Sequence, residues 1–281
     1  MVENLGKFLK IRDWEKKLLE IMSNITNNRF VLFVLSIVIF LLIWESIGRV
    51  LDLVHLISSP FIVGQEIVRI LYSLTWIEHL LATFGRVTVA FFVSICVGSL
   101  IGLLVGLTDF WENALGSYIT IGLSLPDLFV VVVVAMWFGV STMTPIIAGV
   151  IIGFPFLATS LHGAIEDIEV GYYEMAFAYN IDKYHIAKDI VLQAVLPEMF
   201  SGARYTFALC WKIITLGEII AAQNGLGHMI DSNLRSLNLT GVIAWVAIFT
   251  AVMLIIEYGI FQQAEKRLFN WREDSKGVIT V

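Results

Sequence analysis

Runs of residues without a charged side chain govern what this chain can fold into. Residues 87–107 and 236–256 carry none, and each is about the 20 residues that a helix needs to cross a bilayer. Only a helix satisfies its backbone amides internally in such a setting, closed barrels aside. Residues 128–165 are also free of charge, too long for one crossing, and the turn-like stretch FGVSTMTP at 138–145 divides them in two. With residues 30–50 and 202–222, the pattern predicts six spans. Composition agrees: 58% of residues are hydrophobic and 15% charged, against roughly 45–50% and 25% in soluble domains. The expected class is an all-α, polytopic membrane protein with six transmembrane helices.

Basic residues orient it. Lys7, Lys10, Arg12, Lys16, Lys17 and Arg29 precede the first span, and Lys266, Arg267, Arg272 and Lys276 follow the last. The excess of cations near short termini predicts that both face the cytoplasm. Loops near 108–116 and 166–200 then fall inside, and those near 51–80, 139–144 and 223–239 outside. The first residues lack a small-residue cleavage site after an apolar run, so no removable signal is expected. Ile11, Trp14, Leu18, Met22 and Ile25 recur at helical spacing, which predicts an amphipathic cytoplasmic segment over residues 1–29. The remaining organisation is a first transmembrane helix and outer loop over 30–59, a transmembrane core over 60–265 and a cytoplasmic tail over 266–281. Cys96 and Cys210 stand alone in apolar spans and read as packing residues.

Against this background EMAFAYNIDKYHIAKDIVLQAVLP, residues 174–197, is conspicuously polar. A short helix over 172–179 must stop at Asn180, a position suited to the left-handed backbone that Gly and then Asn accept best. Asp182 suits the N-cap of a second helix running to about Gln193, and Pro197 would mark entry to the fifth span. Tyr172, Tyr173, Phe177, Tyr179 and Tyr184 give this cytoplasmic knob an aromatic surface of the kind that docks a partner.

Glu174, Ala176, Asn180, Ile190, Leu192 and Leu196-Pro197 fall on a known spacing. The stretch resembles the EAA loop of binding-protein-dependent ABC importer permeases, with Met175 in place of the second letter and Asn180 in place of the Gly. HLLATFGRVTVAFF at 79–92, LSLPDLF to WFG at 123–139, WKIITLGEII at 211–220, NGLGHMI at 224–230 and the tail RLFNW resemble the nitrate, sulfonate, taurine and bicarbonate branch, although a second proline usual near Val132 is missing. The resemblance spans about residues 60–272. It implies a coupling helix seated on a separate ATPase, with Glu174, Ala176 and Asn180 at the contact and Met175, Phe177, Tyr179, Asp182, Lys183 and Tyr184 around it. It also implies a cytoplasmic ATPase dimer holding ATP and Mg, an extracytoplasmic substrate-binding protein, a second permease copy, a bacterial inner-membrane location and no nucleic-acid partner.

No phosphate-binding Gly-rich motif occurs in the chain, and its five histidines are scattered without metal-ligand spacing; no cofactor is expected on it. Lys212 and Glu218 fall in the fifth span, where charge is costly enough to signal function. Six residues apart, they sit about 240° round a helix, so each needs another partner. Lys212, Glu218 and Trp211 are therefore substrate-pathway candidates, as are Gly225 and Gly227, whose backbone freedom suits a mobile outer mouth. A structural ion pair with a neighbouring helix is the competing reading for Lys212 and Glu218. Arg86 and Asp127 are expected to snorkel or cap at span ends. Gly98, Gly102 and Gly106 form a ridge for close helix packing, within the subunit or at a dimer seam. The buried Lys and Glu also allow an ion-coupled secondary transporter or channel, but that reading leaves the polar loop unexplained.

Overall fold

A computed structural model describes residues 29–50 and 58–269. The amphipathic segment expected over 1–29 lies almost wholly outside the described residues, as does the tail beyond 269. Every described element is helical. In chain order they are α1 (Arg29–Val50), α2 (Pro60–Ser73), α3 (Thr75–Leu107), α4 (Asp109–Ser124), α5 (Asp127–Phe138), α6 (Met143–Glu166), α7 (Val170–Ala178), α8 (Leu192–Ala221), α9 (Leu226–Arg235), α10 (Leu239–Ile256) and α11 (Gln262–Leu268). A helical turn at Lys183–His185 and a π-helical stretch at Ile186–Val191 lead into α8, and a second π-helical stretch, Glu257–Phe261, joins α10 to α11.

The chain divides into two units, Met1–Gln65 and Glu66–Val281. In the first, the α1 side chains from Val31 to Ile43 are apolar or small and exposed, as a surface facing lipid requires. The Ser59 hydroxyl donates to Glu45 Oε2 at 2.6 Å, and Pro60 takes the first position of α2, where its missing N–H costs nothing.

In the second unit α3 packs along α6, and α6 along α8. The glycine ridge makes the first of these contacts. A Cβ on Gly98 would lie 2.8 Å from the Phe154 carbonyl oxygen, one on Gly102 2.7 Å from that of Ala158, and one on Gly106 2.6 Å from Ile165 Cδ1. The ridge therefore packs inside the subunit. Leu157 and Leu161, fully buried between α3 and α8, fill the centre with Val191 and Val195. Cys210 is buried beside Ser94 and the Gly149 carbonyl, whereas Cys96 is exposed.

Among the described residues three helical stretches are long and apolar enough to cross a membrane: Thr75–Leu107, Met143–Glu166 and Leu239–Leu268. Two bent pairs, α4 with α5 and α8 with α9, raise the number to five, and α1 contributes the shorter apolar stretch Val31–Ile47. Several boundaries differ from those expected. The second span begins twelve residues before position 87, because HLLATFGR continues the helix to Thr75. The loops expected at 51–80, 108–116 and 223–239 contain α2, the start of α4 and α9. The third span is not one helix: α4 and α5 meet at 99°, since Pro126 pushes Leu125 out of the helical region (φ −71°, ψ 133°). Pro197 does not mark a boundary but lies inside α8, so helix runs from Lys183 to Ala221 with only a π-helical irregularity.

Candidate functional site

At one end of α8 lies the 174–197 loop. Its first helix, α7, closes with Asn180 at φ 51°. The Asn180 N–H donates to the Phe177 carbonyl at 3.1 Å and the Ile181 N–H to the Ala176 carbonyl at 2.9 Å, the paired bonds of a left-handed helix stop. Asp182 then caps the following turn by accepting from the His185 N–H at 3.2 Å. Its carboxylate also bonds the His185 ring. The side-chain bond from His185 holds Asp182 below the usual carboxylate range, and the same bond raises His185. The sign follows: the Asp182 contribution is lost as pH falls through its lowered value, and that of His185 as pH rises through its raised one. The cap is strongest between them.

Ala176 is completely buried, and Tyr173 packs on the Leu157, Leu161 and Val195 cluster. These two anchor α7. Glu174, Met175, Phe177, Tyr179, Asp182, Lys183 and Tyr184 are all exposed, and the Lys188 ammonium stands 5.9 Å from the Tyr184 ring centre. The knob is thus a fixed scaffold with an exposed aromatic and polar face. Asn180→Gly is expected to keep transport within about two-fold, since Gly adopts the left-handed conformation more readily. Asn180→Val, β-branched at positive φ, should cost about 1–2 kcal/mol and lower uptake at equal membrane abundance. Equal uptake by the two variants would show that the stop is unimportant.

At the other end of α8 the intramembrane charges separate. Glu218 is 0% exposed and Arg86 5%; Arg86 donates to Glu218 Oε1 at 2.6 Å. Glu218 Oε2 accepts from the Thr83 hydroxyl at 2.8 Å and from the Gly227 N–H at 3.0 Å. Arg86 therefore neither snorkels nor caps: α3 begins so much earlier than expected that its guanidinium is carried into the core. Losing one partner of such a pair typically costs about 3–5 kcal/mol. Asp127 lies in the first turn of α5, a place that favours a carboxylate.

Gly225, at φ 115°, has no room for a side chain, because a Cβ would lie 2.3 Å from Glu218 Cδ. Gly227 is helical, and its Cβ would meet the Thr215 carbonyl oxygen at 2.2 Å. Its role is close approach, not backbone freedom. Trp211 is wholly buried, stacked between Phe207 and Phe249. Lys212, one residue on, is exposed and has no hydrogen bond or ion pair among the described residues. The structural pair expected for it is absent there, while Glu218 has one. The fold also gathers Glu112, His162 and Glu166, with ligand atoms within 4.8 Å of one another; sequence spacing hid this group because Glu112 comes from another helix.

The family model described as "Binding-protein-dependent transport system inner membrane component" matches residues 94–270. The chain belongs to this family. It is the non-enzymatic membrane component of an ABC importer, and such components work with a separate ATPase and a substrate-binding protein. The taurine transport system permease protein TauC of Escherichia coli is 24% identical over 69% of this chain and 70% of its own length. The formylaminopyrimidine transport permease protein ThiX of Halalkalibacterium halodurans is 22% identical over 85% of this chain and 95% of its own. Among solved structures, an inward-facing MetNI methionine ABC transporter superposes with a TM-score of 0.57 at 17% identity, over 69% of this chain and 94% of that one. The likeness is one of fold.

Proposed function

We propose that two copies of this chain form the membrane passage of an importer for a small anion or related organic nutrient in a bacterial inner membrane. Both termini and the 174–197 loop face the cytoplasm. ATP and Mg bind to a separate ATPase dimer, whose surface receives Glu174, Met175, Phe177 and Tyr179, and an extracytoplasmic binding protein delivers the solute for alternating access. The observation that carries this reading is the capped knob, held to the core by Ala176 and Tyr173 while Glu174, Met175, Phe177 and Tyr179 stand exposed on its surface. Relatives named for taurine, aliphatic sulfonates and nitrate support a small anion. Proteoliposomes holding the chain and its ATPase should accumulate labelled solute only with ATP and the loaded binding protein. Accumulation driven by an ion gradient without ATP would sink the proposal.

Two further results are expected. A reporter active only in the cytosol should work when fused at either terminus or within 166–200, as the distribution of basic residues requires; activity of a periplasm-only reporter at the C-terminus would overturn this orientation. Lys212, exposed on a spanning helix and without an ion pair among the described residues, supports a role in drawing anions into the passage. Lys212→Met should weaken uptake roughly ten-fold at unchanged membrane abundance, and Lys212→Arg should retain part of it, because charge persists while geometry changes. Normal solute affinity in the Met variant would place Lys212 in the scaffold.

A further inference from the structure

We infer that Arg86 and Glu218 are positioning residues that fasten the start of α9 to α3 and to the end of α8 farthest from the 174–197 loop, so that movement delivered at the loop is passed to α9 and α3 together. The inference rests on the coupling function proposed above. Helix extends from Lys183, inside the loop, to Ala221, and α8 alone covers about 45 Å at 1.5 Å per residue. A rod of that kind transmits displacement only to what is tied to its far end.

Several ties converge here, although the buried Arg86 Nε has no hydrogen-bond partner among the described residues. Four consecutive residues after α8 are each held by α3 or by Glu218. Arg86 donates to the Asn224 carbonyl at 2.8 Å and also bonds the Asn224 side-chain oxygen. The Gly225 N–H donates to His79 Nδ1 at 3.2 Å, the Leu226 N–H to the Thr83 hydroxyl at 2.8 Å and the Gly227 N–H to Glu218 Oε2 at 3.0 Å. Glu218 is thus bonded at once to α3 and to the first turn of α9, where the helix dipole also favours a carboxylate. An ion pair serving stability alone needs no such arrangement, since well-packed apolar residues often stabilise a core as well or better. Here both members of the pair also bond one short backbone segment, Arg86 at the Asn224 carbonyl and Glu218 at the Gly227 N–H, where the chain turns by 45° between α8 and α9.

The test uses the complete transporter, reconstituted with its ATPase and binding protein, and reads solute imported per ATP hydrolysed at equal amounts of assembled complex. Glu218→Gln keeps the shape and removes the charge. The double variant Arg86→Met with Glu218→Leu replaces the whole pair with apolar side chains and so guards against misfolding from one orphaned charge. Both are expected to lower the ratio roughly ten-fold, the scale on which residues within a coupling network act. A ratio within two-fold of the unaltered complex, in either variant that assembles or in whatever fraction of a poorly assembling variant survives, would make the pair scaffold only and overturn the inference. No ATP-driven import by the unaltered complex would instead defeat the proposed function, and the inference with it.

Discussion

Glu174→Lys is expected to abolish ATP-driven uptake while the protein remains in the membrane at normal abundance. Glu174 is exposed on α7 and makes no ion pair or hydrogen bond among the described residues, so nothing inside the subunit depends on it. Exposed substitutions of this kind usually change stability by no more than about 0.5 kcal/mol. In a mating surface the same change sets a cation where a carboxylate is accommodated, and a mispaired interface charge costs about 2–5 kcal/mol, or roughly thirty-fold to several thousand-fold in affinity. Uptake and co-purification of the ATPase should fall together. The contrast is Ala176, two residues on and completely buried on the opposite side of α7: Ala176→Glu should deplete the protein itself. Wild-type uptake by Glu174→Lys would remove this residue from the contact.

Gly225→Ala should be among the most damaging single-methyl additions in the chain. Its backbone sits at φ 115°, where an L side chain is strained, and the new methyl would fall 2.3 Å from Glu218 Cδ and 2.4 Å from both carboxylate oxygens. Neither penalty relaxes the other: rotating the backbone breaks the bonds to Gly227 and Leu226, and moving the carboxylate breaks the pair with Arg86. Overpacking alone costs about 1–3 kcal/mol, and disturbing the buried pair about 3–5 kcal/mol. Thermal unfolding in detergent should show a large loss of stability. Gly85→Ala, in α3 with nothing within 4 Å of its Cβ, is the matched control. Equal melting of the two variants would refute the packing around Glu218.

What could be read ahead of the structure was what is encoded locally. Asn180 and Asp182 announce a helix stop and a cap through their own side chains and near neighbours, and both stand as expected. Apolar runs announce helices, but not where helices begin, because amphipathic residues such as those from Thr75 to Arg86 continue a helix without continuing the apolar run. That displacement changed the reading of Arg86, whose partner is 132 residues away and leaves no trace in spacing. Trp211 was grouped with Lys212 by adjacency, yet neighbours on a helix point about 100° apart, and one entered an aromatic stack while the other faced outward. Pro126 announces an interruption of the helix, but not the 99° angle at which α4 and α5 meet. Gly227 shows the same limit: glycine is as often a requirement for space as for torsional freedom, and only the neighbours decide which.

The glycine ridge also restricts which motions are open to this permease. Backbones that meet at Gly98, Gly102 and Gly106 interlock over successive turns, with the Phe154 and Ala158 carbonyls seated in the notches. Sliding α3 along α6 would carry bulkier residues against those carbonyls, so the fit at the ridge opposes shear between these two helices. Hinge rotation, which concentrates torsional change in a few residues, is left to places where the helical hydrogen-bond ladder is already interrupted: Leu125 with Pro126, and the turn at Gly139.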